Sequence, residues 1–386
     1  MKTPLRYITS QPALEECISS LQQATIVAFD LEFDRDRFTY GFDLCLVQIA
    51  TPSECFVIDP IAPLELSGLF RVFENNAIKK LVYCPGEDLR LLHSLQCYPT
   101  QLVDCEVYAK LLNYEQTSLS NMLNITSGFS LNKKLQTSNW GKRPLTEAQL
   151  EYAAADVWYL FQLEETLRKE ATEKNVLHMA EEEFSQLNET RYTLEPKQNY
   201  IKKNDRQFMS PFDQYLLNEL FKYRDQLARS KNKPAHYILP ESVLRLLAYK
   251  KISVEEIALQ KGIHPMLRTE RELTALAKRW DAIHEEAKSA NLSRRKEGQT
   301  YSEEERQAFD QKKQQLEEAK TKVFQPIQQW IGAKLGEHTM RYLFSSTLIQ
   351  DVLRGETKLS SLKPAYRAAL VQEAANASGH DISKWW

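Results

Sequence analysis

The chain has no apolar run approaching the ~20 residues that a membrane-spanning helix needs, so no membrane role is expected. Its start, MKTPLRYITSQPALEEC, lacks the apolar core that follows the basic residues of a secretory signal, which makes a cytoplasmic protein the expectation. No cysteine lies beyond position 105, and none of the six (Cys17, Cys45, Cys55, Cys84, Cys97, Cys105) is spaced as CxxC. A structural zinc is therefore not expected, and the thiols read as reduced, packed apolar groups. The eleven glycines include no GxxxxGK[ST] phosphate cradle, which argues against an NTPase or helicase. Neither sign of charge dominates, the net being −2 over 386 residues.

That near-neutrality hides an asymmetry. Residues 1–170 hold 15 Lys and Arg against 22 Asp and Glu, and residues 171–386 hold 35 against 30. An acidic half that gathers metal ions, joined to a mildly basic half, suits a nucleic-acid enzyme. A chain this long exceeds one ordinary core, and its 42% hydrophobic and 26% charged content is that of a globular protein of two or three domains.

The first 170 residues alternate strand and helix patterns. Ser10 can cap a helix with Pro12 in its first turn. TIVAFDLEF is an apolar, β-branched run of the kind that forms a buried central strand, and CLVQIATP and CFVIDP continue it as a meander. LSGLFRVFEN reads as a helix and KKLVYC as a short strand, broken at Pro85 and Gly86, with a helix starting near Glu87. Beyond residue 171 helical spacing takes over: FDQYLLNELFKYRDQLARSKNK, ESVLRLLAYKK and RTERELTALAKRWDAIHEEAK are amphipathic, SANLSRRKEGQTYS is a polar linker, and EEERQAFDQKKQQLEEAKTKV is a charged helix.

Four carboxylates stand where charge is costly to bury: Asp30 and Glu32 in IVAFDLEF, Asp88 in CPGEDLRLL and Asp156 in LEYAAADVWYL. Residues two apart in a strand share a face, so Asp30 and Glu32 stand side by side. Residues four apart share a helix face, so Tyr152 and Asp156 project together. Asp88, at a helix start just after a strand, completes the group if helices pack over the sheet end. Such an all-oxygen set suits Mg²⁺ or Mn²⁺, and four carboxylates can hold two divalent ions roughly 3.5–4 Å apart for an in-line phosphoryl displacement. Tyr152 would orient, or accept a proton from, the attacking water.

DLE, an Asp in a strand-to-helix turn and then YxxxD is similar to the pattern of DEDDy 3′–5′ exonucleases, and the surrounding words resemble ribonuclease D. FDLEFDRDRFTYGFDLCLVQIA resembles its first motif, KKLVYCPGEDLRLL its second and LNKKLQTSNWGKRPLTEAQLEYAAADVWYLFQL its third, including a Trp-x-x-Arg-Pro-Leu approach through Trp140, Arg143, Pro144 and Leu145. FMSPFDQYLLNELFKYRDQLARSKNKPAHYILPESVLRLLAYKK resembles the helicase-and-RNase-D C-terminal (HRDC) module, and TLIQDVLRGE with LKPAYRAALVQEA resembles a diverged second copy. The resemblance implies an α/β, ribonuclease H-like exonuclease domain, a mixed sheet with flanking helices, followed by all-α HRDC domains. It implies an exonuclease domain over 1–170, a helical linker over 171–206, HRDC domains over 207–288 and 303–386, and a linker over 289–302 between them. It also implies that Asp30, Glu32, Asp88 and Asp156 are metal ligands and that Tyr152 positions the water. The chain departs from the family pattern at Asn139, where an Asp is usual, and at Tyr83-Cys84-Pro85.

Arg35, Arg37, Phe38 and Tyr40 mix basic and aromatic groups just after the DLE strand, a composition that can hold a phosphate and stack a base. Lys133, Lys134, Lys142 and Arg143 lead into the third motif and read as phosphate contacts. Tyr223, Arg224, Lys231 and Lys233 mark a candidate HRDC surface. Asp34, Asp36 and Asp43 read as a solvated loop, and His93 as structural. The resulting expectation is a metal-dependent 3′–5′ exoribonuclease that releases nucleoside 5′-monophosphates from RNA with a free 3′ end, such as tRNA precursors. The alternatives are a DNA 3′–5′ exonuclease of the Werner or proofreading type and a non-catalytic nucleic-acid-binding scaffold.

Overall fold

The computed structural model describes residues 5–131, 134–195, 197–296 and 302–386. Six strands, β1 (Leu5–Ile8), β2 (Ile26–Arg35), β3 (Phe42–Ala50), β4 (Cys55–Ile58), β5 (Lys79–Val82) and β6 (Leu102–Asp104), form one sheet in the order β1-β4-β3-β2-β5-β6. β1 runs parallel to β4, β5 parallel to both β2 and β6, and β3 antiparallel to β4, so the sheet is mixed, as expected. The expected meander is β2-β3-β4, and the TIVAFDLEF run lies centrally as β2.

The helices that flank these strands are α1 (Gln11–Gln22), α2 (Ser67–Glu74), α3 (Gly86–Ser94), α4 (Cys105–Leu111), α5 (Leu119–Ser127), α6 (Glu147–Trp158), α7 (Leu160–Glu173) and α8 (Leu177–Glu189). Ser10 stands at the N-cap of α1, as expected, although its side chain accepts no capping bond. The two faces of β2 meet different partners because its side chains alternate. Phe29 packs on Phe73 of α2 with ring centroids 4.6 Å apart. Ala28, on the other face, joins an apolar cluster with Ala153, Ala154 and Val157 of α6. The small Ala153-Ala154-Ala155 run lets α6 lie close to the sheet, and the Cys55 thiol reaches the Ala154 carbonyl at 3.9 Å.

The remaining helices are α9 (Lys203–Phe208), α10 (Pro211–Lys231), α11 (Ala235–Ile238), α12 (Glu241–Ala248), α13 (Glu270–Ser289), α14 (Glu303–Ala319), α15 (Gln325–Leu335), α16 (Glu337–Leu343), α17 (Ser346–Arg354) and α18 (Ala365–Ser378). The chain forms two compact units: Met1–Glu32, Leu44–Thr193 and Tyr301–Trp386 make the first, and Phe33–Asp43 with Leu194–Thr300 the second. This corrects the expected five-part division in two places. Residues 171–193 are part of the first unit rather than a linker: Asn188 of α8 bonds both the N–H and the carbonyl of Leu102 in β6, at 2.9 and 3.1 Å. The segment 303–386 is not a separate domain, because Phe324, Ile331, Phe344, Leu370 and Val371 share one apolar cluster with Tyr108 and Phe184 of α4 and α8.

In the second unit, Phe212, Leu216, Leu220, Leu244, Leu247 and Ile283 form the core between α10, α12 and α13. Asp34 departs from the solvated-loop reading. It is 6% exposed and gathers the N–H groups of Arg37, Phe38 and Thr39 at 2.6–3.1 Å, which folds the turn after β2 around one carboxylate. Five cysteines are buried as expected, but Cys84 is exposed, in a left-handed conformation at φ 51°.

Candidate metal centre

A central strand and two helices each deliver one part of the site. Asp30 and Glu32 follow Ala28 on the same face of β2, as their spacing predicts. β5 pairs with β2 in the register Ala28↔Leu81, so Asp30 lies level with the turn where β5 hands over to α3. Asp88 sits in the first turn of α3, 8% exposed. α6 begins with a capping box: Thr146 Oγ1 accepts the Gln149 N–H at 3.2 Å, and Gln149 Oε1 accepts the Thr146 N–H at 3.0 Å. That start places Tyr152 and Asp156 one turn apart on the face toward the sheet, with Asp156 only 5% exposed.

One carboxylate oxygen from each of Asp30, Glu32 and Asp156 lies within 4.8 Å of the others. Asp88 falls outside that tight trio but inside its field, since Asp30 raises its pKa and it raises that of Glu32. All four carboxyls titrate high, Asp30 at about 7, chiefly because burial removes their hydration; mutual repulsion adds to this for Glu32, Asp88 and Asp156. Besides burial, the groups that raise Glu32, Asp88 and Asp156 are carboxylates: one another, Asp30 and, for Asp88, Asp104. A hard divalent cation is the group that such an all-oxygen set accommodates. Burial and then the charges of Asp156, Glu32 and Asp30 raise the Tyr152 phenol, and Tyr152 packs on Trp140 with ring centroids 6.1 Å apart.

The proposed nucleic-acid residues fare unevenly. Arg35 and Arg37 are exposed and lie over the rings of Phe42 and Phe38, each at 5.0 Å, which keeps a basic-aromatic surface on that loop. Lys134 and Lys142 are exposed, and Lys133 lies outside the described residues. Arg143 is not a surface cation: its Nε and Nη2 clamp Asp59 at 2.5 and 2.7 Å, Nη2 also reaches the Cys45 carbonyl at 2.8 Å, and Nη1 the Trp140 carbonyl at 2.6 Å. With every donor nitrogen engaged inside the fold, it is poorly placed to take a phosphate. Arg224 likewise turns inward, to the Leu239 carbonyl at 3.2 Å, whereas Lys231 and Lys233 are exposed. Asn139 holds its own turn by accepting the Gly141 N–H at 3.1 Å.

Two acids escaped the sequence reading. Asp104 caps α4 by accepting the Glu106 N–H at 3.0 Å, and the same oxygen accepts the Cys84 N–H at 2.8 Å, fixing the turn that carries Asp88. Asp59, 4% exposed, anchors Arg143. For Asp104 a signal existed: an Asp between the strand run LV and the helical run CEVYAKL is an N-cap pattern.

A mixed sheet with Asp30 and Glu32 on β2, Asp88 in the first turn of α3 and Asp156 on α6 gathers an acidic cluster with the oxygen donors a divalent cation takes. A family model described as 3′-5′ exonuclease matches residues 5–172, and one described as HRDC domain matches residues 213–270. The chain belongs to the ribonuclease D family: it is 31% identical to the ribonuclease D of Xanthomonas oryzae pv. oryzae over 63% of this chain and 67% of that one. It is 27% identical to that of Bartonella henselae over 64% of this chain, and spans only 61% of that protein's length. The crystal structure of Escherichia coli RNase D, described as an exoribonuclease involved in structured RNA processing, superposes with a TM-score of 0.67. That likeness, at 22% identity over 97% of this chain and 98% of that one, shows a shared fold.

Proposed function

We propose that this chain is a metal-dependent 3′–5′ exoribonuclease that removes nucleoside 5′-monophosphates from RNA with a free 3′ end, with tRNA precursors and other structured RNAs as its substrates. The observation that carries this reading is the convergence of Asp30, Glu32 and Asp156 oxygens within 4.8 Å, with Asp88 in their field. We assign these four carboxylates to two divalent ions, Mg²⁺ or Mn²⁺. Bound ions there supply neutralisation of the carboxylates and of the charge that builds on the phosphoryl group in the transition state. The protein's own residues do the rest. Tyr152, one helical turn from Asp156, directs a water toward the phosphorus. The Arg35, Arg37 and Phe38 loop and exposed Lys134 offer contacts to the strand, and the HRDC match supports a second RNA-holding region. No described helix is long and apolar enough to cross a membrane, and the reading implies work in the cytoplasm, where RNA precursors are trimmed.

The test uses the full chain with Mg²⁺ or Mn²⁺ and matched 3′-OH RNA and DNA strands. RNA should shorten one nucleotide at a time, DNA more slowly, and EDTA should stop both. Asp156→Ala should abolish trimming while thermal unfolding stays cooperative. Trimming that survives in this variant would remove the metal-site assignment, and faster trimming of DNA would reverse the substrate assignment.

A further inference from the structure

The contacts of Arg143 run from the sheet to Tyr152 without a break. Asp59 follows the end of β4 and is held by the Tyr7 hydroxyl at 2.5 Å and the Ile61 N–H at 3.0 Å. Its two oxygens take Arg143 Nε and Nη2, and the same guanidinium spans to the carbonyls of Cys45 in β3 and of Trp140. Trp140 is 3% exposed, and its ring lies against that of Tyr152 at a 32° tilt. The Trp140 indole Nε1 is buried with no hydrogen-bond partner among the described residues. A buried donor is normally paired. What Trp140 presents to Tyr152 is the flat face of its ring.

We propose that Asp59, Arg143 and Trp140 form a strut that positions Tyr152 over the carboxylates, and that Arg143 serves the chemical step through this strut rather than by binding RNA phosphate. The proposal rests on the reading of Tyr152 as the residue that directs the water. A bidentate guanidinium–carboxylate pair, 22% and 5% exposed on its two sides, is a rigid unit, and it fixes the Trp140 backbone through a carbonyl. Asp59 is suited to that duty. Burial alone would raise its pKa, but hydrogen bonds from Arg143 and Tyr7 outweigh burial and hold the carboxyl below its ordinary value, so it stays charged. A lysine in place of Arg143 could not span one carboxylate and two carbonyls at once.

The experiment is steady-state kinetics on a 3′-OH oligoribonucleotide, with salt dependence of RNA binding measured in parallel and cooperative unfolding confirmed for each variant. Tyr152→Phe is the reference and should lower kcat. Arg143→Gln and Trp140→Leu should lower kcat by about 10- to 100-fold, the scale of a misplaced catalytic group, with KM and the salt slope unchanged. Trp140→Phe, which keeps a flat ring against Tyr152 but loses the N–H and about a third of the ring's area, should retain more of kcat than Trp140→Leu. In a Tyr152→Phe background, Arg143→Gln should cost almost nothing further. Should Trp140→Leu fail to fold, the Arg143→Gln pair of backgrounds still decides. A raised KM with a shallower salt slope in Arg143→Gln would overturn the strut in favour of a phosphate contact. An equal loss in both backgrounds would overturn it in favour of a general structural role. Full kcat in Tyr152→Phe would instead fell the reading of Tyr152, and the strut with it.

Discussion

Asp30→Asn should inactivate the protein and, without metal, stabilise it. Asp30 titrates at about 7 in the fold, chiefly through burial, against about 3.9 in an unfolded chain. A carboxyl whose folded pKa is raised weighs against folding once it must ionise. The penalty is absent below pH ~4, grows between pH ~4 and ~7 and is complete above that. Three units at ~1.4 kcal/mol each set a ceiling of about 4 kcal/mol at pH 8. The asparagine introduces a buried amide that costs about 1–3 kcal/mol where it lacks partners, leaving a net gain of about 1–3 kcal/mol. At about 2–4 °C per kcal/mol for a unit of this size, Tm in EDTA should rise by roughly 2–12 °C at pH 8, with the gap closing toward pH 4. Mn²⁺ should reverse the order. Saturation at 100 Kd stabilises the native protein by about 2.7 kcal/mol, and the variant should gain far less. The assay is thermal unfolding from pH 4 to 8, with EDTA or Mn²⁺. An Asp30→Asn variant that melts below the parent in EDTA at pH 8 would refute the claim that burial raises the Asp30 carboxyl and charges the fold for its ionisation.

Two other positions test the scaffold. Asp104→Ala removes the acceptor of both the Glu106 and Cys84 N–H groups, so it should cost about 1–2 kcal/mol in thermal unfolding and weaken Mn²⁺-induced stabilisation, while Asp104→Asn should keep most of both. Gly336→Ala places a Cβ 2.1 Å from Asn113 Cγ at a residue with φ 93°, and should lower stability by about 2–4 kcal/mol in denaturant titration; a neutral outcome would show that α16 can shift off Asn113 freely.

What the sequence made legible followed periodicity. Asp30 and Glu32 share a face because strands repeat every two residues, and Tyr152 and Asp156 because helices return every fourth, so both pairs could be placed without a structure. Strands β1 and β6, of four and three residues, are too short for a period to show. The role of Arg143 was hidden for a different reason: its partner Asp59 lies 84 residues earlier, and a cation in a loop beside other cations looks like a phosphate contact until that partner is known. The C-terminal helices were misplaced for a similar reason. An amphipathic pattern says that a helix buries a face, not against what, and the faces of α15, α16 and α18 are covered within the first unit.

That misplacement bears on the site through α4. Seven residues are too few for a helix to hold by propensity, so α4 must be held by its surroundings. At one end Asp104 caps it and fixes the Cys84 turn ahead of Asp88. At the other, Thr339 Oγ1 donates to the Lys110 carbonyl at 2.9 Å, and Asn113 Oδ1 accepts the His338 and Thr339 N–H groups at 2.8 and 3.2 Å. Tyr342 extends the hold, lying under Lys110 Nζ at 5.2 Å and donating to Glu183 of α8 at 3.2 Å. A cluster of mutually repelling carboxylates pushes its own supports apart whenever no ion is bound. Holding Asp88 in register through that interval requires a turn fixed from behind, and the C-terminal segment supplies this by gripping the far end of the helix that fixes the turn.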